Sequence, residues 1–485
     1  MMGLLNAGLL SLAALPLVNS ETVLGVYIFS RHGDRTPKAL SPTNLTALGA
    51  DQVFASGDWY RNRYVASDSS SPVLGLSRDT AALTQLTVTA PLDNVLQSSA
   101  QAFLQGLYPP AGGISAQDLR NKTLVTAPLG GYQYIPINTV DTIFSGKQPE
   151  DNPWLQGGSG CDKAVASSNN YLSSSEYLAT SQQSAAFYKG LLPVINSTFG
   201  PDAANFKNAY AIFDYVNVAT IHNQTIPASD LLTPDALREL KLLANEHEWG
   251  LAYNSSDEVR AIAGATLAGQ IVQAFNSTIA GRSKLPVHIQ FGAYGVFASF
   301  FGLAKLPAVS DDFTGVVDYA ASMTFELVTN ATVGGSSYPG PDDISVRFLF
   351  SNASAAELTP KAYPLFGQEE TLLPWTRFLS EMNKFAVSDT ADWCRVCGVS
   401  TGACASTSSG SGSDGNGGSN TASVSPNGHA ISLPVAGVIG ALVTLAVVLG
   451  AEALVYLISG LTLIKKSTLA AQAGAGTGAV AGGKA

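Results

Sequence analysis

Residues 24–37 read LGVYIFSRHGDRTP, and this stretch decides how the rest of the chain is interpreted. The apolar run Val26–Phe29 predicts a buried β-strand, which ends at the polar loop RHGDRTP. In that loop Arg31 and Arg35 flank His32. Guanidinium groups bind phosphate oxygens in pairs, and a neutral imidazole can attack phosphorus and carry the phosphoryl group. The loop therefore predicts a catalytic nucleophile, His32, with Arg31 and Arg35 as phosphate-binding residues.

The composition is that of a globular protein and argues against a nucleic-acid partner. The 485 residues are 46% hydrophobic and 13% charged, and the formal net charge is -10. No basic cluster is longer than Lys465-Lys466, whereas a nucleic-acid surface needs a basic stripe. We expect no metal and no cofactor, because two arginines can neutralise a phosphate and the sequence shows no cluster of carboxylate and histidine ligands.

The two ends of the chain predict entry into the secretory pathway and one membrane anchor. Residues 1–20 resemble a signal peptide, with an uncleaved anchor as the alternative. We expect an ectodomain at 21–398, a Gly/Ser-rich stalk at 399–430, a transmembrane segment at 431–464 and a short cytosolic tail at 465–485. Because lysines follow the segment, the ectodomain is predicted to be extracellular or lumenal in a single-pass membrane protein.

Glycosylation sequons and cysteines fit the same compartment. Eight Asn-x-Ser/Thr triplets all lie between the predicted signal peptide and the predicted span, at Asn44, Asn121, Asn196, Asn223, Asn254, Asn276, Asn330 and Asn352. The four cysteines, which are Cys161, Cys394, Cys397 and Cys404, are disulfide candidates with three alternative pairings. Zinc is the less favoured interpretation, because no histidine lies nearby to complete four ligands.

The loop resembles the Arg-His-Gly-x-Arg-x-Pro signature of the histidine acid phosphatases, the branch of the phosphoglycerate mutase-like superfamily that includes phytases. Further stretches resemble landmarks of that family: LTALG at 45–49, SSAQAFLQGL at 98–107 and EHEW at 246–249. The resemblance implies an α/β fold with a mainly parallel sheet flanked by helices and an inserted, largely helical lobe. It also implies phosphomonoester hydrolysis through a phosphohistidine, with a phosphorylated ligand as partner. A strand at 287–291 and a helix at 296–303, read from their apolar runs, agree with that fold.

The sequence departs from the family pattern at two places. The family has a further arginine where this chain has Asn94, and Arg78 is the nearest upstream arginine. The family's His-Asp pair, which supplies the general acid, falls near Gly292 and Ala293, where no ionisable side chain is present.

Three histidines are candidate substitutes for that acid. His288 lies on the same face of its strand as Gly292 but about 13 Å away, at a strand rise of roughly 3.3 Å per residue, which is too far for direct replacement. His247 and Glu248 are an acid–base candidate by composition alone, and a structural role is the preferred interpretation of Glu248. His222 is expected to be a buried histidine with its hydrogen bonds satisfied.

Three functions are compatible with the sequence. The first is an acid phosphatase acting through His32, with turnover impaired by the missing general acid. The second is a pseudophosphatase that binds a phosphorylated ligand without turnover. The third is a glycosylated cell-surface structural protein. The intact loop favours the first over the third, because a scaffold needs neither Arg31 nor Arg35.

Overall fold

The first predicted strand lies inside the central sheet of the computed structural model, which describes residues 21–139, 160–222, 225–334 and 337–405. Strand β1 spans Thr22–Arg31 and is buried along nearly its whole length, as its apolar sequence predicts. The predicted signal peptide, transmembrane segment and cytosolic tail lie outside the described residues, as does nearly all of the stalk. No helix among the described residues is both long enough and apolar enough to cross a membrane.

The remaining elements follow in chain order. The strands are β2 Leu86–Thr89, β3 Gln117–Asp118, β4 Leu124–Val125, β5 Val287–Gly292, β6 Ser322–Thr329, β7 Ile344–Ser351, β8 Lys361–Ala362 and β9 Leu372–Pro374. The helices are α1 Ala47–Tyr64, α2 Asn94–Leu107, α3 Pro128–Gly131, α4 Asp162–Tyr171, α5 Ser175–Gly190, α6 Leu192–Ile195, α7 Ala209–Ile221, α8 Pro234–Ala252, α9 Ile262–Ala280, α10 Tyr294–Leu303, α11 Trp375–Met382 and α12 Thr390–Cys397.

The sheet is mixed, so the expectation of a mainly parallel sheet is wrong. Its strand order is β2-β5-β1-β6-β7-β8, with β9 also paired to β7. Of the strands in the described chain, β2, β5 and β1 run parallel to one another, whereas β6 to β9 pair antiparallel. The parallel strands are joined by helical crossovers, but β6 and β7 follow each other without an intervening α-helix, which allows antiparallel pairing.

Helices cover both faces of the sheet, because alternate side chains of β1 enter two different cores. Val26 and Ile28 pack with residues of α1 and α2 on one face. Tyr27 and Phe29 pack with α9, α10 and α11 on the other face. The RHGDRTP loop follows β1 at its carboxyl end, the edge where open α/β sheets bind ligands.

Helices α4 to α8 form the predicted inserted lobe between the early and late strands. The lobe has a hydrophobic core of its own, which includes Tyr188, Phe206 and Leu240. Two disulfides resolve the three pairings that the sequence left open. Cys161, just before α4, is bonded to Cys397 at the end of α12. Cys394 is bonded to Cys404, so the described fold continues past the predicted boundary at 398.

Candidate active site

The RHGDRTP loop lies against the start of helix α1, and glycine allows this contact. A Cβ on Gly33 would lie 2.1 Å from the carbonyl oxygen of Gly49, and one on Gly49 would lie 2.0 Å from that of Asp34. The two backbones could not approach so closely with any larger residue. Gly33 is therefore required for packing against α1.

The imidazole of His32 is held in one tautomer. Its Nδ1 lies 2.8 Å from the carbonyl oxygen of Gly33, which can only accept, so Nδ1 carries the proton. Nε2 then holds the free lone pair, and it has no hydrogen-bond partner within the described ranges. Burial, followed by the positive charges of Arg31 and Arg35, lowers the pKa of His32 well below its ordinary 6.5. The ring is thus neutral and suited to nucleophilic attack through Nε2.

The two arginines of the loop are held by helix α7 of the inserted lobe. Asp214 accepts from both terminal nitrogens of Arg35, at 2.8 and 3.1 Å, and both side chains are almost fully buried. The hydroxyl of Tyr210, one helical turn earlier, accepts from Arg35 at 3.1 Å and from Arg31 at 3.4 Å. Arg31 also donates to the carbonyl oxygen of Val317. These contacts fix both guanidinium groups before any ligand binds.

Three tyrosines line the space around the guanidinium groups. The ring of Tyr319 lies 4.8 Å from the guanidinium carbon of Arg31, and its centroid lies 5.7 Å from that of His32. The ring of Tyr294 lies 5.4 Å from the same carbon of Arg31 and 4.6 Å from the ring of Tyr210. We call Tyr210, Tyr294 and Tyr319 the tyrosine wall. Aromatic faces attract cations, so this wall stabilises the charge of Arg31 at a buried position.

The loop aspartate joins the end of α7 to the start of α1. The buried carboxylate of Asp34 accepts from Nε2 of His222 at 2.6 Å and from the hydroxyl of Thr46 at 2.5 Å. His222 follows the last residue of α7, and its side chain is 27% exposed. The prediction of a satisfied, buried histidine is therefore right about the hydrogen bond and wrong about complete burial.

Both arginines keep one buried donor that the protein does not use. Nε of Arg31 and Nε of Arg35 are inaccessible to solvent and have no hydrogen-bond partner among the described residues. An unpaired buried N–H group costs about 1–3 kcal/mol, so such groups are rarely left without a functional reason. Each of the two arginines that flank His32 therefore keeps one N–H group that the described residues leave unpaired.

Neither an acid nor a third arginine lies at the positions where the family resemblance leads us to expect them. Gly292 is the last residue of β5 and pairs in register with Arg31, and Ala293 follows it. Asn94 is the first residue of α2 and is exposed. Arg78 is exposed as well, and none of its contacts in the described chain is to the loop.

The candidate substitutes for the acid differ in position. His288 is a buried residue of strand β5, its Nε2 lies 3.2 Å from the hydroxyl of Thr278, and burial lowers its pKa to about 4. His247 lies 2.8 Å, through Nδ1, from a carboxylate oxygen of Glu248. The other oxygen of Glu248 accepts from the hydroxyl of Tyr294 at 2.7 Å. Glu248 is therefore connected to the tyrosine wall, which its sequence position did not reveal.

Sequence reasoning missed Tyr210 and Asp214, although α7 carries a signal for them. Its sequence AYAIFDYVNVATI contains a single charged residue, Asp214, in an otherwise uncharged helix. A charge on a buried helix face needs a partner of opposite sign, and Tyr210 lies on the same face one turn away. The partner itself, Arg35, could not be found by spacing because 179 positions separate the two residues. No cluster of His, Cys, Asp or Glu in the described ranges is placed to hold a metal ion.

This fold and loop define a protein of the histidine phosphatase kind, with a histidine between two arginines at the end of the first strand. The model of the histidine phosphatase superfamily, branch 2, matches residues 39–351, well over half of the chain. The chain therefore belongs to branch 2 of the histidine phosphatase superfamily. The matched region begins just after the RHGDRTP loop, so the roles of the loop residues depend on the geometry of the site.

Relatives of known name agree with this family. A lysosomal acid phosphatase from Xenopus laevis is 24% identical over 369 residues, which cover 73% of this chain and 74% of that protein. The phytase of Citrobacter braakii has a similar structure, with a TM-score of 0.52 at 15% identity, covering 78% of this chain and 99% of its own. The apo phytase of Hafnia alvei has a TM-score of 0.50 at 13% identity, covering 79% and 99%. The two structures show that the fold is shared.

Proposed function

We propose that this protein hydrolyses phosphomonoesters through a phosphohistidine formed on His32, with Arg31 and Arg35 binding the phosphate. One observation carries the proposal: a neutral His32 with a free Nε2 lies between two arginines that each keep an unpaired buried N–H. Most buried polar groups are hydrogen-bonded, so a free ring nitrogen between two arginines with unpaired N–H groups favours a bound anion over a purely structural role.

The chemistry follows from these contacts. Nε2 of His32 attacks phosphorus, the N–P bond forms, and the ester P–O bond breaks with its electrons going to the leaving oxygen. The phosphorylated ring carries a positive charge, and the hydrogen bond from Nδ1 to the Gly33 carbonyl stabilises that charge. Arg31 and Arg35 stabilise the charge on the phosphoryl oxygens. Water then attacks phosphorus, the N–P bond breaks with its electrons returning to Nε2, and one proton of the water is released, which leaves inorganic phosphate and neutral His32.

The named relative supports the same activity. The Xenopus laevis protein is called a lysosomal acid phosphatase, which supports phosphomonoesters as the substrate class and a lumenal compartment for this chain. Branch membership and a shared phytase fold are consistent with a phosphorylated small molecule as the ligand.

The test is hydrolysis of p-nitrophenyl phosphate by the full-length protein, purified in detergent from a secretory host, between acid and neutral pH. The matched variant is His32→Ala, whose folding is checked by thermal unfolding beside the wild type. Turnover that disappears in the variant, together with trapping of acid-labile phosphate on the wild type alone, supports the proposal. Turnover that persists in the variant refutes it.

The leaving group should control the rate. Aryl phosphates release a stabilised phenolate and need no proton donor, whereas alkyl phosphates do. Because Gly292 and Ala293 provide no acid, we expect alkyl phosphates to be hydrolysed about 10²–10⁴-fold more slowly than aryl phosphates. Equal rates for the two classes would contradict the inference that turnover is impaired.

A second function is favoured by one contact, the pairing of Asp214 with Arg35. The carboxylate of Asp214 offsets one of the two guanidinium charges of the loop, which weakens stabilisation of a transition state more than it prevents binding. The alternative proposal is therefore a pseudophosphatase. It predicts that inorganic phosphate raises the melting temperature of the wild type but not of His32→Ala or Arg35→Met, with no turnover of any ester.

We also propose that the protein is a glycosylated membrane protein with its ectodomain in the lumen or outside the cell. All seven sequons in the described ranges lie at the surface, with Asn254 and Asn352 half-buried and the others exposed. Two disulfides suit an oxidising compartment. Treatment with an N-glycosidase should lower the apparent mass, and alkaline carbonate should leave the full-length protein in the membrane pellet. Release by carbonate would contradict the predicted span at 431–464.

A further inference from the structure

Three carboxylates lie in the RHGDRTP loop or within two contacts of it. Their hydrogen-bond partners are as follows. Asp34 is hydrogen-bonded to His222 and to a hydroxyl. Asp214 is held by both terminal nitrogens of Arg35. Glu248 is bonded to the Tyr294 hydroxyl and to His247, and no lysine or arginine within the described chain pairs with it. Of the three, Glu248 is the one that is neither part of the loop nor paired with Arg35, and it is bonded to a tyrosine of the wall.

Tyr294 connects Glu248 with the phosphate arginines. It begins α10 just after Gly292, whose register partner across the sheet is Arg31. Its ring lies 5.4 Å from the guanidinium carbon of Arg31 and packs on Tyr210, whose hydroxyl accepts from both arginines. Burial, and next the Glu248 carboxylate, raise the pKa of Tyr294 well above its ordinary 10.0, so the phenol keeps its proton.

His247 fixes the orientation of Glu248 from the opposite side. Its Nδ1 lies 2.8 Å from one carboxylate oxygen, while Tyr294 holds the other oxygen at 2.7 Å. The Glu248 side chain is 15% exposed, so solvent reaches it. The two hydrogen bonds keep the carboxyl group directed at the tyrosine rather than at bulk water.

We propose that Glu248 and Tyr294 together donate the proton for the slow alkyl turnover that remains without an acid at the end of β5. The proposal rests on the proposed phosphohistidine function. When the ester P–O bond breaks, the leaving oxygen takes the phenolic proton of Tyr294, and protonated Glu248 returns a proton to the phenolic oxygen. When water cleaves the N–P bond, its proton passes back along the same path to Glu248. The cycle is balanced, because one proton leaves Glu248 and one returns.

The experiment compares two substrates on the full-length protein: p-nitrophenyl phosphate, which needs no acid, and β-glycerophosphate, which does. The variants are Glu248→Gln and Tyr294→Phe. The matched control is Glu246→Gln on the same helix, because Glu246 is bonded to Thr180 and not to the tyrosine wall. We expect kcat for β-glycerophosphate to fall at least tenfold more than kcat for p-nitrophenyl phosphate in both variants. The control should leave the ratio of the two rates unchanged.

The possible outcomes separate failure of the Glu248–Tyr294 proposal from failure of the proposed phosphatase function. Equal losses on both substrates would show that Glu248 and Tyr294 support the site only structurally, and would overturn the proposal. Wild type that hydrolyses the aryl ester but shows no alkyl turnover would overturn it as well. Absence of aryl turnover in the wild type would instead refute the phosphatase function itself. Because Tyr294→Phe removes one oxygen atom, it remains a fair test if Glu248→Gln fails to fold.

Discussion

Replacing His288 with glutamine should make the protein less sensitive to acid. In the folded chain burial lowers the pKa of His288 from 6.5 to about 4. The unfolded chain therefore binds a proton below pH 6.5 that the folded chain refuses until about pH 4, so stability falls as the pH falls through this window. A gap of this size corresponds to about 3 kcal/mol in full, of which about 2 kcal/mol is lost between pH 7 and pH 4.5. Glutamine does not titrate and removes this loss.

Urea unfolding of the wild type and of His288→Gln at pH 7 and at pH 4.5 measures the effect. At pH 7 the variant should be less stable by about 1 kcal/mol, since the hydrogen bond to Thr278 changes. At pH 4.5 that difference should vanish or reverse. Thr278→Val is the control, because it removes the hydroxyl and keeps the imidazole, and its loss of stability should be similar at both pH values. A difference between wild type and His288→Gln that does not change with pH would refute the reasoning.

Three further changes should affect the fold and the site. Gly33→Ala should lower stability by about 1–3 kcal/mol and reduce turnover, because the new Cβ meets the backbone oxygen of Gly49; urea unfolding and kinetics measure both. Glu326→Gln should cost about 3 kcal/mol in urea unfolding, since this fully buried carboxylate is bonded to two arginines and a tyrosine. The double variant Cys161→Ser/Cys397→Ser should lose about 2–5 kcal/mol, seen as a lower melting temperature under non-reducing conditions.

Matched controls separate these effects from those of substitution in general. Gly190→Ala adds a Cβ where no atom lies within 4 Å, and it should be neutral. Glu357→Gln changes an exposed carboxylate and should leave unfolding almost unchanged. Losses in the controls as large as those in Gly33→Ala and Glu326→Gln would show that neither the backbone clash nor the buried carboxylate causes the destabilisation.

Local patterns in the sequence predicted those parts of the site that consist of contiguous residues. The apolar run before Arg31 and the run at 287–291 are both strands as predicted, and the structure pairs them in register up to Arg31 and Gly292. The sense of the later strands was mispredicted, because apolar content indicates burial but does not reveal the direction of a neighbouring strand. Whether β6 and β7 pair antiparallel depends on how the chain connects them.

Long-range contacts account for what the sequence left out. Asp214 and Tyr210 reach the loop from a helix that lies about 180 residues further along the chain, and no spacing rule links the two stretches. Likewise, Glu248 was recognised as part of a family landmark, but only the fold brings it beside Tyr294. A buried charge indicates that some side chain must pair with it. Only the tertiary structure shows which side chain does so.

The support that helix α7 gives to the arginines has a consequence for the order in which the protein is made. Synthesis proceeds from the N-terminus, so the RHGDRTP loop leaves the ribosome long before Tyr210 and Asp214 exist to hold it. A partly made chain holds His32 between two unrestrained arginines and has no organised site. The proposed phosphate chemistry can begin only after helix α7 has folded against the loop, so activity would report that the chain has folded at least through the inserted lobe.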